Sequence, residues 1–135
     1  MLSLLEPKQD QLGRDLTVIH WSAYDLPTRT SESGTPRVLV GLLSSHGRLP
    51  WVSEPLYSFD ALSATGKTFE GRIYRLEGLP GFNGAAMHAW TEWMRQHRVR
   101  DPLDVSESLL QSILDANRMA DGANLHRLRM KGRWW

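Results

Sequence analysis

The amino-acid sequence predicts an α+β fold: a four-stranded, mostly antiparallel sheet across residues 16–77, followed by two helices packed on one face of the sheet. Segments rich in β-branched and aromatic residues fill the first half of the chain, and apolar residues recur at helical spacing after it. Strands clustered before helices favour this layout over an alternating parallel fold. The predicted domain spans residues 16–121, between a loose arm at 1–15 and a short basic tail at 122–135.

Four segments have the character of strands. Residues 16–21 are rich in β-branched and aromatic side chains, and residues 37–43 form the continuous apolar run of a central strand. Residues 51–59 contain Pro55, which favours an edge position. Residues 67–76 alternate between two faces. Short turns between the later strands predict an antiparallel meander, and the residues between the first two predict a long loop at 25–36.

Two helices follow, at residues 84–98 and 104–117. Asn83 is a natural N-cap for the first helix, and Asp104 with Glu107 resembles a capping box at the start of the second. One face of each helix is apolar. These faces consist of Ala86, Ala89, Trp90, Trp93, Met94 and His97 in the first helix and of Val105, Leu109, Leu110, Ile113 and Leu114 in the second.

The composition is that of a folded domain with an uneven charge distribution. The 135 residues are 41% hydrophobic and 23% charged, and they include no cysteine, which excludes disulfides and cysteine-ligated metal sites. No apolar run reaches the ~18 residues of a transmembrane helix, so we expect a cytoplasmic protein that does not bind membranes. Residues 1–117 carry a net charge of −3, and residues 118–135 carry +4.

Three short motifs invite a chemical interpretation, and each has a simpler structural one. The segment 64–68 ends in Gly-Lys-Thr, but Ala61 replaces the first glycine of a phosphate-binding loop, which favours a hairpin turn. His88 and Glu92 share a helix face without further ligands for a metal. Ser45–His46 has no supporting triad signature. We therefore predict no catalytic residue, no cofactor and no metal site.

The basic tail is the most distinctive candidate for binding. Arginine and tryptophan are enriched in the hot spots of protein interfaces, and the same residue types bind single-stranded nucleic acid through phosphates and stacked bases. The alternative is that the tail folds back on the domain, because tryptophan favours burial. The candidate partner- or nucleic-acid-binding residues are Arg127, Arg129, Lys131, Arg133, Trp134 and Trp135.

The stretch Gly71-Arg72-Ile73-Tyr74-Arg75-Leu76-Glu77-Gly78-Leu79-Pro80-Gly81, followed by Trp90 and Trp93, resembles a pattern in small uncharacterised proteobacterial proteins, some of them carried on mobile elements. That pattern is Ser-Gly-Arg-x-Tyr-x-Leu-x-Gly-x-Pro-Gly before a Trp-x-x-Trp helix. Glu70 replaces its serine, and the match covers about residues 70–99. The resemblance implies a bacterial, mobile-element origin and assigns no catalytic residue.

Together these observations predict a non-enzymatic accessory protein that binds, and inhibits or regulates, a protein partner. Trp134 and Trp135 could also dock on a second copy and form a homodimer. The alternative is a nucleic-acid-binding protein that uses the basic, aromatic tail, although the acidic body argues against a broad basic face. A third option is an enzyme whose titratable groups meet in a cleft, which the order of residues alone does not reveal.

Overall fold

A computed structural model of the chain describes residues 12–27 and 36–130, with side chains described up to residue 121. Within these residues the fold is α+β, as the sequence predicts, with two helices and a mostly antiparallel sheet. The strands are β1 Asp15–Asp25, β2 Arg37–Leu43, β3 Leu49–Val52, β4 Leu56–Asp60, β5 Thr65–Thr68, β6 Ile73–Leu76 and β7 Leu103–Asp104; the helices are α1 Gly84–Gln96 and α2 Ser106–Met130.

The described sheet has seven strands rather than the predicted four. The predicted third strand is two strands, β3 and β4, separated by a segment that contains Pro55. The predicted fourth strand is the hairpin β5–β6, whose turn passes through Gly71 at φ +89°, a conformation that favours glycine. The short strand β7 pairs with Tyr24 and Asp25 of β1. Regular alternation hid the β5–β6 turn, because both arms of a hairpin share the same period.

The first strand occupies the centre of the sheet. The strand order is β3-β2-β1-β6-β5-β4, and β7 pairs with β1 outside this path. β1 is antiparallel to β2 and parallel to β6, with Asp15 opposite Ile73 and Val18 opposite Leu76. The predicted meander of the later strands breaks between β3 and β4, which stand at opposite ends of this order. The one parallel pairing, between β1 and β6, joins segments that are far apart in the sequence.

The sheet is strongly curled. Its two end strands, β3 and β4, are joined by only three residues, 53–55, so the ends must lie close together at one corner. Trp51 of β3 and Phe59 of β4 both pack against the same buried cluster, which fills the concave side of the sheet. The buried members of this inner cluster are Leu12, Leu16, Val18, Trp21, Ala23, Leu39, Leu43, Tyr74, Leu76 and Leu109.

The two helices lie on opposite faces of the sheet, which corrects the prediction that they share one face. Alternate residues of β2 point to opposite sides. Val38, Val40 and Leu42 pack with Ala86 and Trp90 of α1 in a second, outer cluster. The next residues along β2, Leu39 and Leu43, belong to the inner cluster, which α2 joins through Leu109. A helical pattern shows which face is apolar, but it does not show which side of the sheet that face covers.

The helix boundaries also differ from those predicted. α1 ends at Gln96, and Asn83 caps its start by accepting a hydrogen bond from the Ala86 amide at 3.0 Å, as predicted. α2 begins at Ser106 and continues to Met130, past the predicted end at residue 117 and through Gly122. Within the described residues no helix is both long enough and apolar enough to cross a membrane.

A bulge in β1 places a stringent requirement on the neighbouring strand. The register between β1 and β2 shifts between Ile19 and Ser22, and His20 in the bulge has φ +47°. Opposite the bulge is Gly41 of β2. A Cβ atom there would lie 2.5 Å from Val18 Cγ1 and 2.8 Å from the Ile19 carbonyl oxygen. Only glycine allows the two backbones to approach this closely.

Gly41→Ala should therefore lower the free energy of unfolding by about 1–3 kcal/mol, the usual cost of overpacking a filled site. Urea denaturation measures the effect. Gly84→Ala is the matched control, because no atom lies within 4 Å of its added Cβ, and its stability should be unchanged or slightly higher. Equal stability of Gly41→Ala and wild type would contradict the close approach of the two strands.

Candidate functional site

An open cleft lies where the end of β1 meets β7, the start of α2, the segment before α1 and α1 itself. Its volume is about 520 Å³. Ser22 and Tyr24 contribute from β1, and because they are two residues apart they share one face of the strand. The polar residues of the lining are Ser22, Tyr24, Asp104, Ser106 and Glu107, and the others are Pro80, Gly81, Phe82 and Met87.

The polar residues of the lining are held together by hydrogen bonds to the backbone. The buried Ser106 hydroxyl accepts a hydrogen bond from the Ala23 amide at 2.9 Å, which fixes the start of α2 against β1. Asp104 accepts from the Ser106 amide at 2.9 Å. A capping box predicts that Asp104 accepts from the Glu107 amide, so the observed cap is one residue earlier than predicted. The exposed Glu107 side chain lines the cleft.

The cleft is acidic. Asp104 and Glu107 are carboxylates, and among the described residues that line it there is no lysine, arginine or histidine. Burial raises the pKa of the Tyr24 hydroxyl, and the nearby Asp104 charge raises it further, while a hydrogen bond with Ser22 acts in the opposite direction. Tyr24 therefore stays protonated at neutral pH and keeps a hydroxyl hydrogen for donation.

Large exposed apolar side chains line the cleft or are close neighbours of its lining in the sequence. Phe82, which lines the cleft, has 81% of its surface exposed. Leu79 in the same connecting segment and Leu103, next to Asp104 on β7, are also largely exposed. Single exposed apolar residues are common, but several near one cleft are typical of a surface that binds another molecule.

A stack of aromatic rings supports the cleft from behind. The Tyr24 ring stacks on Trp90 with 4.5 Å between centroids, Trp90 stacks on Trp93 at 5.6 Å, and Trp93 stacks on His97 at 4.1 Å. Trp90 is buried, as predicted from its helical spacing. This stack leaves the Tyr24 ring little freedom to turn, so its hydroxyl keeps one position in the cleft.

A second polar cluster lies at the corner where the two ends of the sheet meet. The Tyr74 hydroxyl donates to Glu54 Oε1 at 2.8 Å and accepts from Trp51 Nε1 at 2.9 Å. Arg72 Nη1 bonds Glu54 Oε2 at 2.9 Å, and Arg72 Nε bonds the Gly13 carbonyl at 3.1 Å. These contacts join four separate segments. The cluster is thus a structural tie rather than a second binding site.

The site residues predicted in the tail lie beyond the side chains that the structure describes. Arg127 and Arg129 lie on α2, but their side chains lie outside the described residues, as do Lys131, Arg133, Trp134 and Trp135 altogether. Most of the predicted loop at 25–36 is also outside them.

The other motifs have local structural roles. Residues 65–68 form strand β5 rather than the predicted hairpin turn. Glu92 forms an ion pair with Arg95 at 2.9 Å, and the part of the chain that the structure describes contains no group of three or more metal-ligating side chains. The Ser45 hydroxyl lies 2.9 Å from His46 Nδ1 on an exposed turn.

Sequence reasoning identified several residues of the cleft but not the cleft itself. The sequence pattern assigns Asp104 and Glu107 to helix capping and does not single out Phe82. One signal was present: Ser22 and Tyr24 continue the alternation of the first strand beyond Trp21. β7 pairs with β1 and brings Asp104 beside Tyr24. No pattern among neighbouring residues in the sequence predicts this pairing.

Comparisons with known proteins add no relative: no protein-family model, no curated protein and no solved structure matches this chain.

Tyr74→Phe should lower the free energy of unfolding by about 1–3 kcal/mol, because Glu54 and Trp51 each lose a hydrogen-bond partner inside the fold. Urea denaturation at pH 7 measures this cost. Tyr57→Phe is the matched control, since Tyr57 is 67% exposed and its hydroxyl should be dispensable.

The same pair of variants should differ in alkaline solution. Burial, followed by the Glu54 charge, raises the pKa of Tyr74 in the folded state. Its contribution to stability is therefore complete below the tyrosine pKa of the unfolded chain, about 10, and is lost as the pH rises above that value. Tyr74→Phe should lose less stability than Tyr57→Phe between about pH 9 and pH 11. Equal losses would contradict a buried, protonated Tyr74.

Proposed function

We propose that this protein is a non-enzymatic binding module whose cleft holds a segment of another polypeptide. The observation that supports the proposal is the composition of the cleft, which two carboxylates and an exposed phenylalanine line together. A binding surface of this kind combines a charged side, which selects and orients its partner, with an aromatic anchor, which contributes apolar contact area.

The lining indicates the chemistry of the segment. Asp104 and Glu107 favour a cationic side chain, and the protonated Tyr24 hydroxyl can donate a hydrogen bond to a backbone carbonyl of the segment. Phe82 and Met87 favour a large apolar side chain beside that cation, since aromatic and thioether surfaces adapt to such groups. The proposed ligand is therefore a peptide segment with lysine or arginine close to an aromatic or aliphatic residue.

Hydrogen bonds within the cleft favour binding over catalysis. Ser106 and Asp104 hold the start of α2 against β1 through the Ala23 and Ser106 amides. Both groups thus help to shape the cleft, and the exposed Asp104 carboxylate also keeps its negative charge for the cation of the ligand. On this basis we assign the module no reaction and describe it as a cytoplasmic accessory protein that regulates or inhibits its partner. The resemblance over residues 70–99 extends that proposal to a mobile-element origin.

A peptide-display selection on the full chain tests this function. Enriched peptides should carry lysine or arginine within a few residues of tryptophan, phenylalanine or leucine. Glu107→Lys should weaken the binding of a selected peptide about tenfold or more, because a cation then faces a cation. The matched control is Glu70→Lys, an exposed residue that does not line the cleft, which should bind within about twofold of wild type.

Two results would count against the module. One is a selection that enriches acidic peptides or no consistent sequence. The other is equal binding by Glu107→Lys and wild type, which would place the peptide elsewhere on the surface.

Nucleic-acid binding through the tail is the second candidate, supported by the net charge of +4 over residues 118–135. Fluorescence anisotropy with labelled single- and double-stranded DNA distinguishes the two functions. If the tail binds DNA, a chain ending at Ala120 should lose binding, and the affinity of the full chain should fall steeply with salt. Binding that survives this truncation would eliminate the tail as the site.

A further inference from the structure

We propose that the cleft binds residues 131–135 of a second copy of this chain, in a reciprocal dimer whose two α2 helices run antiparallel. This inference rests on the proposed function of the cleft as a holder of basic and apolar peptide segments, and it identifies the segment.

The segment has the chemistry that the cleft selects. Residues 131–135 read Lys-Gly-Arg-Trp-Trp, two cations followed by two large aromatic residues. Asp104 and Glu107 offer the opposite charge, and Phe82 and Met87 offer apolar surface. The charge of the whole chain agrees with this match, because residues 1–117 carry −3 and residues 118–135 carry +4. Complementary charge of this kind speeds encounter and fixes orientation.

The length of α2 prevents the segment from reaching the cleft of its own chain. The helix starts at the cleft with Ser106 and ends at Met130, so its two ends are about 36 Å apart at 1.5 Å per residue. Five extended residues span at most about 18 Å. Residues 131–135 therefore end far from their own Asp104 and Glu107. The cleft that they fill must belong to another molecule.

An antiparallel pair of α2 helices would bring residues 131–135 of each copy to the cleft of the other copy. If residues 131–135 of one copy lie beside residues 104–107 of the other, the two helices cross their two-fold axis near residue 119. Met119 is at this position, and its side chain is 75% exposed. Leu114 is also exposed, but it lies about 140° around the helix from Met119 and therefore away from this seam. Antiparallel helices also bring the negative end of each dipole beside the positive end of the other.

The contacts with the sheet that are described for α2 lie in the first half of this helix. The side chains through which α2 joins the inner cluster are Leu109, Leu110 and Ile113, all within its first two turns. Asn117 makes a last contact with the Leu62 carbonyl at 3.3 Å among the described side chains. In the proposed dimer the second half of the helix lies along α2 of the partner copy.

Cysteine crosslinking in the full chain tests the arrangement, because the sequence contains no cysteine of its own. Met119→Cys should form a disulfide-linked dimer under mild oxidation, since the two residues meet at the axis. Leu114→Cys is the matched control. In the antiparallel register its counterpart lies about 15 Å away along the partner helix, so it should stay monomeric on a denaturing gel. Equal crosslinking of both variants would contradict the antiparallel register and overturn the proposal.

Charge exchange tests whether the segment occupies the cleft. Glu107→Lys and Arg133→Glu should each raise the dimer Kd about tenfold in sedimentation equilibrium, and the double variant should return it to within about threefold of wild type. Far-UV circular dichroism and urea denaturation verify that each variant is folded. Dimerisation that is unaffected by either single change would overturn the placement of the segment.

The dimer and the peptide-binding function of the cleft can fail independently. A wild-type chain that is monomeric at about 100 μM, well above the Kd of a stable interface, overturns the dimer. Selected basic peptides that still depend on Glu107 would then leave the function of the cleft intact. Peptides that ignore Glu107 would remove the function of the cleft, and with it the reason for the dimer.

Discussion

Glu54 lies in the three-residue connection between the two ends of the sheet, and its carboxylate reaches β6 on the other side of the curl. One oxygen accepts from the Tyr74 hydroxyl and the other from Arg72, while Tyr74 also accepts from Trp51 of β3. A sheet curled this tightly needs a tie between strands that are not neighbours, because ladder hydrogen bonds act only between adjacent strands. The inner cluster, the seat of α2 and the position of β1 all depend on that closure.

The cleft is a consequence of how the chain leaves this curled sheet. β1 continues beyond its pairing with β6, and its last residues pair with β7, which brings Asp104 and the start of α2 beside Tyr24. α1 covers the outer face and supports Tyr24 through Trp90. The two helices therefore have different roles: α1 packs against Tyr24 in the cleft lining, and α2 begins at the cleft and extends away from it.

Local patterns in the sequence predict what local interactions decide. The α+β class, the strand at 37–43, the Asn83 cap and the buried Trp90 were all predicted correctly. The errors arise where distant residues decide the outcome. The parallel pairing of β1 with β6, the division of the helices between two faces and the pairing with β7 each join segments without a shared local signal. The cleft belongs to this second group, since its residues come from β1, the 80–82 segment, α1, β7 and the start of α2.

The order of strands has a consequence for the folding of the chain as it is synthesised. β1 is made first but lies at the centre of the sheet, and its partner β6 begins only at Ile73. Until that residue has been made, one edge of β1 has no strand to pair with, and the apolar side chains of β1 and β2 have no closed interior to enter. Pairings between remote segments form slowly, because a long loop must close first. Until then the nascent chain carries an apolar hairpin without its closed interior, and such exposed apolar surface and unpaired strand edges promote aggregation.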